Sequence, residues 1–171
     1  MDIQAITTDS DELAHLKAIY LDSFPPEERL DFERLLAKQK AGKGHFLGFY
    51  KEEALVGMMY YAEYEEILYI FYFAIDSNHQ SKGYGKQMLA YMLERFSKHK
   101  IILLVEEIDE KADNYAQRVR RKNFYLRNGF AENAQFVVAL GNDFEMLHRQ
   151  GRPAYVSDYE KVQTYYYRDD Q

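Results

Sequence analysis

The stretch FYFAIDSNHQSKGYGKQML, residues 71–89, carries the decisive reading of this chain. A run of bulky apolar residues from Ile67 to Ile75 gives way to a polar turn. Gly83 and Gly85 then flank Tyr84, and Met88, Leu89, Met92, Leu93 and Phe96 follow at helical spacing. A buried strand handing over to a helix through glycines allows positive φ and close approach of a ligand to the backbone. The first amides of a helix lack intrahelical partners, and with the helix dipole they form an anion site. Lys82 and Lys86 add positive charge at the same point, so a phosphate or pyrophosphate is the expected guest. Two common phosphate loops do not fit. A P-loop needs Gly where Gln80 stands and Ser or Thr where Gln87 stands, and a dinucleotide fingerprint needs Gly at Met88.

The flanking sequence supplies the rest of a mixed α/β chain. Ile3 to Thr7 reads as a first strand, with Asp9 or Ser10 capping a helix that begins near Glu12. Pro25 and Pro26 suit the first turn of a second helix bearing Leu30, Phe32, Leu35 and Leu36. His45 to Tyr50 and Leu55 to Ala62 form an expected antiparallel hairpin. The unbroken apolar runs Ile67 to Ile75 and Ile101 to Val105 imply neighbouring parallel strands buried on both faces. Asn114 to Asn128 reads as a helix closed by Gly129. Gln135 to Leu140 and Phe144 to His148 form an expected closing hairpin across Gly141-Asn142-Asp143, and a short helix starts near Ser157. The order is βααβββαβαββ plus a short C-terminal helix, in one α/β domain.

Composition removes several function classes. The 171 residues include no cysteine, which excludes disulfides, thiolate metal sites and a cysteine nucleophile. A net charge of −6 argues against nucleic-acid binding. The longest apolar run is far shorter than the roughly 20 residues that cross a bilayer. The acidic start of the chain does not read as a signal peptide, so a cytoplasmic protein is expected. The five histidines lack ligand spacing, and no metal is expected. No Gly-x-Ser-x-Gly elbow is present, which disfavours a serine acyl-enzyme.

Gln80-x-x-Gly83-x-Gly85 after a buried strand resembles the acetyl-CoA pyrophosphate loop of the GNAT superfamily of N-acetyltransferases. A second motif, RVRRKNFYLRNGF (118–130), resembles that family's penultimate helix. The resemblance extends to element order over residues 1–150, the expected acetyltransferase domain. Residues 151–171 are left as a tyrosine-rich tail packed on the same domain.

The resemblance implies a single-domain GNAT fold whose central mixed sheet contains a splayed parallel strand pair. In the gap, main-chain groups of Phe73, Ala74 and Ile75 bind the pantetheine arm of acetyl-CoA. Backbone amides of Gln80, Ser81, Lys82, Gly83, Tyr84, Gly85 and Lys86 hold the pyrophosphate. Tyr125 occupies the position of the tyrosine that protonates the departing thiolate. The family's glutamate base and its asparagine are replaced here by Tyr69 and Arg118. The base is therefore sought in Glu106 first, and in Glu65 or Glu66, with an ordered water as the alternative. Arg118 or Arg121 is a candidate for the cofactor phosphates. The implied function is direct acetyl transfer from acetyl-CoA to a primary amine of a small acceptor. The alternative is a CoA-binding or regulatory module without turnover. Tyr155, Tyr159, Tyr165, Tyr166 and Tyr167 either pack the tail down, wall the acceptor pocket or form a homodimer seam.

Overall fold

The computed structural model describes residues 1–169; the last two residues of the tail, 170 and 171, lie outside the described residues. The strands are β1 (Asp2–Ile6), β2 (His45–Lys51), β3 (Ala54–Tyr64), β4 (Ile67–Ile75), β5 (Lys100–Glu106), β6 (Phe130–Ala139) and β7 (Asn142–Arg149). The helices are α1 (Leu13–Ser23), α2 (Phe32–Lys40), α3 (Tyr84–Arg95), α4 (Tyr115–Arg127) and α5 (Val156–Tyr167). The expected element order is the observed one. The strands form one sheet in the order β1-β2-β3-β4-β5-β7-β6, in which only β4 and β5 pair in parallel.

Helices cover both faces, which is why β3, β4 and β5 are almost continuously apolar. One core lies under α1, α2 and α5 and includes Leu16, Tyr20, Leu35, Tyr60 and Tyr166. The other lies under α3 and α4, where Met88, Leu89 and Met92 are fully buried. Each such side chain contributes about 1.5–3 kcal/mol by leaving water. The tail is part of the first core. Tyr166 is 1% exposed, and its hydroxyl shares a 2.8 Å hydrogen bond with that of Tyr60. Lys38 and Lys43 donate to the carbonyls of Tyr166 and Tyr165, so two cations satisfy the C-terminal end of α5. Among the described residues, no helix is long and apolar enough to cross a membrane.

Several local expectations need correction. Ser10 does not cap α1; its Oγ accepts from the Thr7 amide at 3.0 Å, closing a turn before the helix. Pro25 and Pro26 do not open α2. They start a separate 3₁₀ turn (Pro26–Glu28), and Asp31 caps α2 instead, accepting from the Glu33 amide. Proline fixes φ, which suits the tight turn, while Asp at the cap supplies the acceptor that an orphan amide needs. The closing hairpin is longer than expected and turns at Leu140-Gly141, both at positive φ (50° and 77°), as a two-residue mirror-image turn requires.

Candidate active site

The site originates in one irregularity. Tyr60 pairs with Tyr72 while Tyr61 pairs with Ile70, so Phe71 is an extra residue in β4. A bulge bends the strand that carries it and increases its twist. The parallel pairing of β4 with β5 accordingly runs from Ile67↔Lys100 to Ile70↔Leu103 and then stops. Beyond it, the β5-facing backbone of Phe73, Ala74 and Ile75 has no strand partner among the described residues, and a gap opens through the sheet.

On the α3 side of this gap lies the turn expected to hold an anion. Ser81 and Gly83 both have positive φ (64° and 77°), and alternation of this kind turns successive amides toward one concavity. No side chain caps α3, so its first-turn amides remain available. The position of a Cβ on Gly83 meets no atom within 4 Å, so the backbone is open to an incoming group. Gly85 has another reason to be glycine: a Cβ there would sit 2.8 Å from Ile75 Cδ1 and 3.0 Å from Phe124 Cζ. Lys82 and Lys86 are exposed at the rim. The residues present fit a pyrophosphate.

Tyr125 lies on the same side, 8% exposed, with its ring edge-on to Phe73, Phe124 and Phe130. Its hydroxyl has no hydrogen-bond partner among the described residues. Burial pushes its pKa up to about 12, against a smaller lowering by Arg121. Arg121 is one helical turn earlier on the same face of α4.

Across the gap, under α1, α2 and α5, is a cavity of about 420 Å³ whose walls include Glu28, Glu106, Arg121, Tyr69, Phe71 and Tyr159. Glu106, the expected base, ends β5 at 9% exposure. It accepts from Asn114 Nδ2 at 3.1 Å and pairs with Arg118 Nε at 3.3 Å and Arg121 at 3.4 Å. Both arginines therefore stand at this carboxylate, and Arg118 also donates to the Glu107 carbonyl. Glu65 and Glu66 are exposed at the β3–β4 turn, at the end of β4 remote from the gap.

Sequence reading missed Glu28. It ends the 3₁₀ turn, and the following residue pairs hold it over β4: the Leu30 amide donates to Tyr72 Oη at 2.8 Å, and the Leu30 carbonyl accepts from Tyr20 Oη at 2.5 Å. The half-buried Glu28 carboxyl is pushed up to about 7, first by loss of water and then by the charge of Glu106 and a hydrogen bond with it. Arg121 opposes the shift. The only local signal is PPEER, where two prolines force a tight turn; nothing there says which glutamate faces a cavity.

An open helix N-terminus and a separate cavity thus lie on opposite sides of one gap in the sheet. The sequence signature of the Acetyltransferase (GNAT) family matches residues 13–130, and the chain belongs to that family. A GNAT-family protein from Bacteroides thetaiotaomicron is 27% identical, with a TM-score of 0.80 over 99% of this chain and 98% of that one. An aminoglycoside 6′-N-acetyltransferase solved with coenzyme A is 14% identical, with a TM-score of 0.65 over 90% of this chain and all of that one. A ribosomal-protein-alanine N-acetyltransferase from Brucella melitensis is 20% identical, with a TM-score of 0.61 over 87% and 99%. The last two likenesses show the fold alone. No curated protein matches the chain in sequence.

Proposed function

We propose that this protein transfers the acetyl group of acetyl-CoA directly to a primary amine of a small molecule. The observation that carries the reading is the gap between β4 and β5. It has an uncapped helix N-terminus on one side and a cavity bearing two carboxylates on the other. Acetyl-CoA, when bound, supplies a thioester whose carbonyl carbon the amine attacks. The amides of 80–86 hold its pyrophosphate, and the open edge of Phe73, Ala74 and Ile75 takes the pantetheine amides.

The chain's own residues then handle protons. An amine attacks only when neutral, so a base must take a proton from the ammonium. Glu28, with a pKa of about 7, fits that task near neutral pH, and Glu106 is the neighbour that tunes it. Glu106 also fixes Arg121, which ties the cavity to the helix face that carries Tyr125. Tyr125 holds its proton at neutral pH. With a pKa of about 12 it is a weaker acid than a thiol of about 8.5, so it serves best as a hydrogen-bond donor to the developing thiolate.

The test is thiol release from acetyl-CoA with a panel of primary amines, with product mass showing the gain of one acetyl group. Amine-dependent release is expected. CoA binding without release for any amine would favour the alternative, a binding or regulatory module.

A further inference from the structure

The acceptor cavity is lopsided in its chemistry. Its walls are rich in rings, among them Tyr69, Phe71, Tyr72, Phe144, Tyr159 and Tyr167, with Leu30, Leu104 and Leu140 between them. Among the described residues its anionic groups are two, Glu28 and Glu106, and the second is already engaged by Arg118 and Arg121. Arg34 and Arg121 line the same cavity. A polycation would have to bring several ammonium groups out of water against this small anionic capacity, which is costly. One ammonium fits: carboxylate on one side, ring faces on the others.

A second feature points to an occupant. Tyr69 is 5% exposed and packs edge-on to Phe71 and Tyr159, yet its hydroxyl has no hydrogen-bond partner among the described residues. Tyr72, its neighbour on the same wall, is by contrast satisfied by Leu30. The Tyr69 hydroxyl is not enclosed by protein, so water or a polar group of an occupant in the cavity can pair with it.

Resting on the acetyl-transfer reading, we propose that the acceptor is a compact amine with a single cationic centre and an aromatic or apolar ring body. Its ammonium sits at Glu28 and Glu106, and its body lies between Tyr69, Phe71 and Tyr159. Tyr159 comes from α5, so the C-terminal helix sets acceptor specificity while taking no part in acetyl-CoA binding.

The experiment compares 2-phenylethylamine with spermidine, kanamycin and an alanine-terminated peptide. The readouts are kcat/KM for thiol release and equilibrium binding by calorimetry in the presence of CoA. We expect kcat/KM for 2-phenylethylamine to exceed each of the others by roughly 10-fold or more, since a ring body among aromatic walls gains both buried area and edge contacts. Tyr159→Ala should raise KM for 2-phenylethylamine by roughly 10-fold and leave KM for acetyl-CoA unchanged. Preference for spermidine, kanamycin or the peptide overturns the acceptor class while acetyl transfer stands. Should no amine be acetylated, the transfer reading fails. In that case, binding of 2-phenylethylamine that is lost in Tyr159→Ala still supports the pocket's chemistry, and absence of binding overturns it.

Discussion

Replacing Glu28 with glutamine tests the electrostatics of the site without any knowledge of the acceptor. The Glu28 carboxyl stands at about 7 in the folded protein against an ordinary value of 4.5. Between these two pH values the native protein holds a proton that the unfolded chain has released, so stability falls as pH rises through this window. At full strength the displacement corresponds to about 3 kcal/mol. Glu28 is only half-buried, and solvent screening reduces this to about 1 kcal/mol. Below pH 4.5 the carboxyl is neutral in both states and Glu28→Gln should leave stability unchanged. At pH 8 the variant should be more stable by about 1 kcal/mol, a rise in Tm of roughly 2–4 °C for a chain of this size. The assay is thermal denaturation of both proteins from pH 4 to pH 8.5, read as the difference in Tm at each pH. A difference that does not grow with pH, or a variant that is less stable at pH 8, refutes the reasoning. Once an acceptor is in hand, the same substitution should lower kcat by roughly 10²- to 10⁴-fold and remove the acid limb near pH 7 from the rate profile.

Tyr125→Phe removes a hydroxyl without a protein partner, so Tm should hold while kcat falls roughly 10- to 100-fold and KM for acetyl-CoA stays constant; an unchanged kcat would reduce Tyr125 to packing. Acetyl-CoA at about 100 times its Kd should stabilise the protein by about 2.7 kcal/mol, or roughly 5–10 °C in Tm. Gly83→Asn tolerates the left-handed backbone but puts a side chain over the cradle, so it should keep the ligand-free Tm and lose most of that shift; a full shift would place the pyrophosphate elsewhere. Tyr166→Ala empties a core position and breaks the hydrogen bond to Tyr60, and should cost about 3–5 kcal/mol, measured by urea denaturation. For that reason deletion of residues 155–171 is expected to unfold the protein, and point changes such as Tyr159→Ala are the cleaner probe of the tail.

The elements legible in the sequence are those whose signal is local. The 67–75 run required a strand buried on both faces, and Met88, Leu89 and Met92 required a helix packed on one side of it. Gly83 required a left-handed residue between the two, because periodicity and φ are properties of a few adjacent residues. From these followed the element order and the parallel pair, and from Gly83 the proposal of an anion cradle. The cavity side of the gap was not legible, because its geometry arises from long-range register. One extra residue, Phe71, decides where β4 leaves β5, and it reveals itself only once β3 is aligned beside it. Glu28 is unremarkable among its neighbours in PPEER. It gains a pKa of about 7 only because Tyr20 and Tyr72 hold the turn over β4, next to a carboxylate 78 positions further along the chain. Burial and the field of a distant charge are properties of three-dimensional neighbours, and only the folded chain determines which neighbours those are.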